Sequence, residues 1–198
     1  MSIAERSTRS RVDSEQKLVN AAAELLGEVG PRAMSVRGIA ERAGVNHGLV
    51  HHYFGGKDGL LQAAMTQLVE QHADFVREQS QGSPIPVPLV LKEDQSYLRA
   101  VVRSVLDDEL ELAETELRAG VSVPRTALQY AITQRSMAVA DLETKAWFSL
   151  GMAAEMGWAA MEPFIFATME IDSEEEQEAV RTYVREFQKT YVEKMTNE

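Results

Sequence analysis

The chain has 198 residues, 44% of them hydrophobic and 26% charged, with no cysteine and a formal net charge of −11. This is ordinary globular composition, enough for one good-sized domain or two small ones. Without cysteine there is no disulfide framework, no thiolate metal site and no thiol nucleophile. No run approaches the roughly eighteen apolar residues of a membrane span. The opening "MSIAERSTRSRVDSEQ" has charges but no apolar core, so no secretory signal is read there and a cytoplasmic protein with no membrane partner is expected.

The charge is unevenly spread. Residues 1–60 carry eight Lys/Arg against seven Asp/Glu, a net of +1, whereas the remaining 138 carry twelve against twenty-four, a net of −12. An acidic body behind a near-neutral, arginine-bearing head reads as two parts with different partners.

Residues 1–11, with Arg6, Arg9 and Arg11, read as a flexible arm, either a disordered tail or one that touches phosphate. From Asp13 or Ser14 as cap, Leu18, Ala21, Ala22, Leu25, Leu26 and Val29 recur at helical spacing until Gly30-Pro31 stops them. Ser35 caps a short second helix with Val36, Ile39 and Ala40 inward, and Gly44 suits the left-handed end of it. Asn46 caps a third helix that reaches Tyr53 or Phe54, where "GGK" breaks the chain. A long fourth helix follows, with Leu61, Ala64, Met65, Leu68, His72 and Phe75 on one face. Three helices with tight breaks make a helix-turn-helix in a small bundle over residues 12–57.

Residues 58–198 form the body. Within it, residues 80–94 are a Pro-rich linker or loop, because alternate prolines favour an extended stretch; it is either a mobile linker or a functional lid, and the linker is expected. Tyr97, Val101, Val102, Val105 and Leu106 form the next helical face, Gly120 and Pro124 punctuate the chain, and a further helix holds Ala127, Leu128, Ala131 and Ile132. "DLETKAWFSLGMAAEMGWAAMEPFIFATME" is apolar nearly all round, and Pro163 should kink or end its helix. Ser173 and Glu176 open the last helix in capping-box spacing, and Tyr183, Phe187 and Tyr191 repeat along it. No strand, repeat or low-complexity tract stands out. The chain is all-α.

Three of the four histidines fall in "AGVNHGLVHHYFGGKDGLL". His47 and His51 share a helix face, but a stable metal site needs three or four ligands and the local carboxylate, Asp58, lies past a helix break. No strained serine or carboxylate pair accompanies them for catalysis. Neither a metal nor a cofactor is expected. A recognition helix uses every residue: Gly48 allows close approach, and His47, Leu49, His51 and His52 project from a short rod. Lys57, a cation at a helix start where the dipole disfavours it, would suit a bound phosphate.

At these residues the sequence resembles the tetracycline-repressor-like (TetR-like) transcriptional regulators. The pattern stands as Ala43, Gly44, Val45, Asn46, His47, Gly48, Leu49, Val50, His51, His52, Tyr53, Phe54, Gly55, Gly56, Lys57, Asp58, Gly59 and Leu60, and "SVRGIAERAGV" is similar to the family's second helix. The likeness runs from about residue 12 to about 70; beyond it only the architecture and "GWAAMEPF" are similar. Two positions depart: His51 replaces a tyrosine that commonly touches phosphate, and Tyr53 replaces the usual histidine of an "HF" pair.

The resemblance implies double-stranded DNA contacts at Ser35, Arg37, Asn46, His47, Gly48, Leu49, His51, His52 and Lys57. Of these, His47 and Leu49 are assigned to base edges, and Ser35, Arg37, His51 and Lys57 to the backbone. Val45, Val50 and Phe54 are assigned to packing. It also implies a homodimer built from the last two long helices and a small-molecule effector inside the body. Trp147, Gly151, Ala154, Trp158, Tyr183 and Phe187 are expected at the dimer interface, and the apolar excess around Trp147 to Met161 supports such a face independently. Met65, Leu68, Phe75, Leu98, Val102, Met137, Phe148 and Met152 could line an effector cavity, or be plain core. The implied mechanism is repression of a near-palindromic operator, relieved by an apolar effector. The competing classes are a small helical enzyme using His47, His51 and His52 with an apolar substrate pocket, and a helical adaptor whose acidic body recruits a basic partner.

Overall fold

The structure, a computed structural model, describes residues 3–197, with side chains over 11–193. Among these residues there are ten α-helices, one 3-10 turn and no strand. The chain divides into two compact units, Met1–His72 with Ser96–Val121, and Ala73–Gln95 with Ser122–Glu198. Residues 58–72 and 96–121, read above with the body, therefore group with the head.

The first unit starts with α1 (Ile3–Val29), which reaches back through the segment expected as an arm. No glycine or proline lies between Ile3 and Leu26, and Ala4, Glu5 and Arg6 favour helix, so nothing local stops the extension. The side chains of Arg6 and Arg9 lie outside the described residues. Leu18, Ala22 and Leu26 put one face of α1 into the core beside Ile39 of α2 (Val36–Ala43) and Val50 of α3 (Gly48–Phe54), all fully buried. Each such Leu, Ile or Val contributes about 1.5–3 kcal/mol by leaving water.

The unit continues with the first part of α4 (Lys57–Gln79), α5 (Gln95–Leu106) from Ser96 on, α6 (Leu110–Ala113) and α7 (Thr115–Ala119). The turn after α1 is grasped by distant residues. Arg103 Nε donates to the Gly27 carbonyl at 3.0 Å, the Arg32 N–H donates to Asp107 at 3.1 Å, and Lys57 Nζ donates to the Pro31 carbonyl at 2.8 Å. Gly30 sits at φ +78°, and a Cβ there would press on the Asp107 carboxylate at 2.7 Å.

The second unit holds α8 (Val123–Gln134), α9 (Leu142–Thr168) and α10 (Glu174–Asn197). Ser122 and Asp141 cap α8 and α9, and the Ser173 hydroxyl accepts the Glu176 N–H at 3.2 Å before α10. Pro163 does not end α9, which runs on to Thr168. A proline removes only one helix hydrogen bond, here the one owed to the Ala159 carbonyl, and that oxygen instead accepts from Gln95 Nε2 at 3.4 Å.

Residues 80–94 are not a free linker. Leu89, Val90 and Leu91 are buried around the 3-10 turn Val90–Glu93, which packs on α9. The Leu89 and Leu91 N–H groups each donate to the Glu155 carboxylate at 3.0 Å, and Gln188 Nε2 of α10 donates to it at 3.1 Å. One turn pair further on, buried Glu162 binds Lys92 at 2.8 Å and Arg181 at 2.9 Å, and accepts from Trp158 Nε1 at 3.1 Å. The helix read as apolar nearly all round thus carries two inward carboxylates seven residues apart, and they strap the Pro-rich segment down.

Candidate nucleic-acid interface

The short helices α2 and α3 are set by local chemistry. The Ser35 hydroxyl accepts the Gly38 N–H at 3.1 Å and starts α2, and Gly44 at φ +66° ends it in the left-handed conformation. The Asn46 side chain accepts the Gly48 N–H at 2.8 Å and so begins α3, although the residue flanking that helix is His47. Gly55 closes α3 at φ +73°. Arg42 binds Glu28 at 2.8 Å and Glu24 at 3.2 Å, tying α2 to α1.

Held this way, α3 buries Val50 and turns other side chains outward. His47, Gly48, His51 and His52 are exposed, as are Ser35, Arg37 and Asn46, and Leu49 is half-buried. Arg37, Ala40, Glu41, Val45, Asn46 and His47 line an open concavity across the turn between α2 and α3. The Arg11 guanidinium of α1 lies over the Tyr53 ring at 5.5 Å, and the His52 ring is 5.1 Å from the same tyrosine. Seven of the nine residues expected at DNA are thus exposed, and Arg37, Asn46 and His47 share one concavity.

Lys57 is different. Its ammonium is half-buried and donates to the Pro31 carbonyl, so the side chain that lies against Gly56 at the start of α4 is the His51 imidazole. The cation at the helix start is engaged in joining α4 to the turn after α1. Gly59, which carried no role in the sequence reading, is required by close approach: a Cβ there would run into the Phe54 carbonyl oxygen. Its signal was a glycine in the first turn of a helix, where alanine is ordinarily better.

No group of three His, Asp or Glu among the described residues is placed to hold a metal. His72, the fourth histidine, is buried in the first unit and stacks on Tyr97 at 3.8 Å. Of the residues expected to line an effector cavity, Met65, Leu68, Leu98 and Val102 lie in the first unit and Phe75, Met137, Phe148 and Met152 in the second. Met65, Leu68 and Leu98 are core, while Met152 is 46% exposed and faces solvent. No helix is long and apolar enough to cross a membrane among the described residues.

At the expected dimer face, Ala154, Tyr183 and Phe187 are exposed. Gly151 instead makes room for Tyr191 of the same chain, whose ring would lie 3.3 Å from a Cβ there, and Trp147 leans edge-on against that ring at 5.1 Å. Trp158 turns toward Phe166, with ring centroids 6.0 Å apart, because its N–H is drawn to Glu162. Trp147 is itself 37% exposed, and Leu150, Met161 and Phe164 also point outward, the last 63% exposed.

A capped pair of short helices with the second lying open defines a helix-turn-helix protein. Residues 18–64 match the family profile described as bacterial regulatory proteins, tetR family. Over 93 residues the chain is 37% identical to the HTH-type transcriptional regulator BetI 1 of Chromohalobacter salexigens, a stretch covering 46% of this chain and 42% of that protein. It is 33% identical over 93 residues to the HTH-type transcriptional regulator BetI of Yersinia pestis, covering 47% and 44%. The chain thus spans less than half the length of these curated relatives.

Among solved structures, a tetR-family transcriptional regulator from Streptomyces coelicolor aligns with a TM-score of 0.56 at 20% identity, over 98% of this chain and 90% of that one. The HlyIIR mutant protein aligns at 0.59 and 16% identity, over 95% and 100%. At such identities the likeness is one of fold. Residues 18–64 are thus similar to the helix-turn-helix segment of tetR-family regulatory proteins, and the all-α fold as a whole is similar to that of the solved structures. The relatives are regulators by name, and none supports the enzymatic reading.

Proposed function

We propose that the protein is a sequence-specific DNA-binding transcriptional regulator that works as a homodimer, and that it represses a near-palindromic operator until a small apolar effector releases it. The observation that carries this reading is α3 itself. It is short, capped at both ends, anchored by Val50, and presents His47, Leu49, His51 and His52 outward beside Arg37. Such a rod fits the major groove, where side chains at its start meet base edges.

The second copy is supported by α9 and α10. From Ala146 to Thr168 the exposed side of α9 carries no charged residue, over about 34 Å of helix. Tyr183 and Phe187 of α10 are 78% and 72% exposed. Water-facing apolar surface of this extent marks an interaction face. Pairing through it would present two recognition helices, which read half-sites about 34–36 Å apart or a multiple of that. An effector releases DNA by favouring a different spacing, for which a preference of several kcal/mol, roughly 5, suffices. Access to chromosomal DNA implies a cytoplasmic location.

Selection of bound sequences from a random duplex pool tests this, using the full chain and a His47→Ala variant. The expected result is a pair of inverted half-sites, with a changed preference at one base pair in the variant. Absence of enrichment together with salt-independent binding would overturn the DNA reading.

A further inference from the structure

We propose that DNA binding by this protein is coupled to proton uptake, because the positive charge its recognition helix offers to phosphates resides on the imidazoles of His47, His51 and His52. The proposal rests on the reading of this surface as the DNA-contacting one.

The permanent cations nearby are mostly engaged. Helix α3 contains neither lysine nor arginine. On α2, Arg42 is held by Glu24 and Glu28 of α1. At the start of α4, Lys57 donates to the Pro31 carbonyl, and Asp58 follows it as a negative group. From α1, Arg11 is laid over Tyr53. Among the described residues of α2, α3 and the start of α4, that leaves exposed Arg37, which shares its concavity with Glu41 as well as with His47. Near-neutral surface of this kind is a poor match for a polyanion, unless further charge appears on approach.

The three histidines can supply it. All are exposed, and no described group hydrogen-bonds to any of their rings. The neighbours of His52 and His51 are Tyr53 and Gly56, neither of which carries charge, whereas His47 shares its concavity with Arg37 and Glu41, one charge of each sign. Imidazole is the side chain that changes charge between about pH 5 and 8. Opposite a phosphate the charged form is favoured, so the complex holds more protons than the free protein. By linkage, affinity is highest where the rings are protonated in both states. It falls as pH rises through the range in which the DNA-bound rings lose their protons, and levels off above it. Each proton taken up contributes up to about tenfold in affinity per pH unit. The buried fourth histidine, His72, has no part in this.

The test measures anisotropy of a rhodamine-labelled random-sequence duplex with the full chain at constant ionic strength, at about pH 6, 7 and 8. The wild type should bind about tenfold or more tightly at the acid end, with a steeper salt slope there. A variant with His47→Gln, His51→Gln and His52→Gln keeps hydrogen-bonding side chains without the charge, and should bind with the same affinity throughout. Calorimetric titration of the wild type in buffers of different ionisation enthalpy reads the proton uptake directly and needs no variant; it should exceed half a proton per chain, or about 0.5. Salt-dependent binding with equal affinity at all three pH values, zero uptake, or a pH response retained in the triple variant would each overturn the proposal while leaving the DNA reading intact. No salt-dependent binding at any pH would overturn both.

Discussion

Gly59 and Lys57 show how single positions hold α3 and the start of α4 in place. Gly59 lies where the first turn of α4 meets the backbone end of α3, and the obstacle to a larger residue is the Phe54 carbonyl, which cannot swing aside like a side chain. Alanine is the better helix former by about 1 kcal/mol, so Gly59→Ala would stabilise an unconstrained helix. Here it should cost about 1–3 kcal/mol through overpacking and weaken DNA binding as α3 is displaced. Urea denaturation checks the first, and a gain in stability would refute the packing argument. At this scale, what local chemistry decides was legible: Ser35, Gly44 and Asn46 act where their residue types put them. The partner of Lys57 was not, because Pro31 lies 26 residues away and the lysine's exposure to phosphate was inferred from its own helix alone.

Among the elements, α9 departs furthest from its sequence reading. Its periodicity is nearly featureless because apolar residues cover both the inner and the outer side, and Glu155 and Glu162 carried no role in that reading. Their partners come from the strap and from α10, which no window on α9 contains. The two carboxyls respond oppositely to their surroundings. Burial pushes Glu155 up, only partly offset by the N–H groups of Leu91 and Leu89 and by Gln188. Burial also works against ionised Glu162, but Arg181, Lys92 and Trp158 together outweigh it and hold that carboxyl below the usual range.

Folded Glu155 therefore binds a proton more readily than it does unfolded, and its contribution to stability declines as pH rises through that elevated range. The contribution of Glu162 is present above the ordinary carboxylate range and is lost only as pH falls through its lowered value. Glu155→Ala removes the acceptor for two buried backbone donors. It should cost about 2–4 kcal/mol and open residues 80–94 to limited proteolysis, with the decline on raising pH abolished. An uncut strap in that variant would mean that Leu89, Val90 and Leu91 hold it by packing alone.

For the whole molecule, the eight longer or well-capped helices and the head's architecture were legible, since capping and breaks mark ends and Val50, Ile39 and Leu26 mark an inside; the short α6 and α7 and the 3-10 turn were not. Which side of α9 faces out was not. Trp158, expected at the dimer interface, is half-buried with its indole N–H on Glu162, while Phe164, which carried no role in the sequence reading, is 63% exposed. The pairing face is therefore best tested at Phe164 and Phe187. Glutamate at both should convert dimers to monomers in sedimentation, with the fold retained by circular dichroism and affinity for a two-half-site operator lowered at least tenfold, about 1.4 kcal/mol. A dimer that persists would place the contact elsewhere.

Under the proposed pairing, that uncharged outer flank carries an implication for divergence. Where two identical surfaces meet about a twofold axis, any replacement is felt twice, once from each side. A single new carboxylate at Phe164 sets like charges against each other, while a duplicate gene that gained a lysine there would mate with the acidic version and shun its own kind. One flank of one helix could in this way sort paralogues into separate circuits without altering a residue that reads DNA.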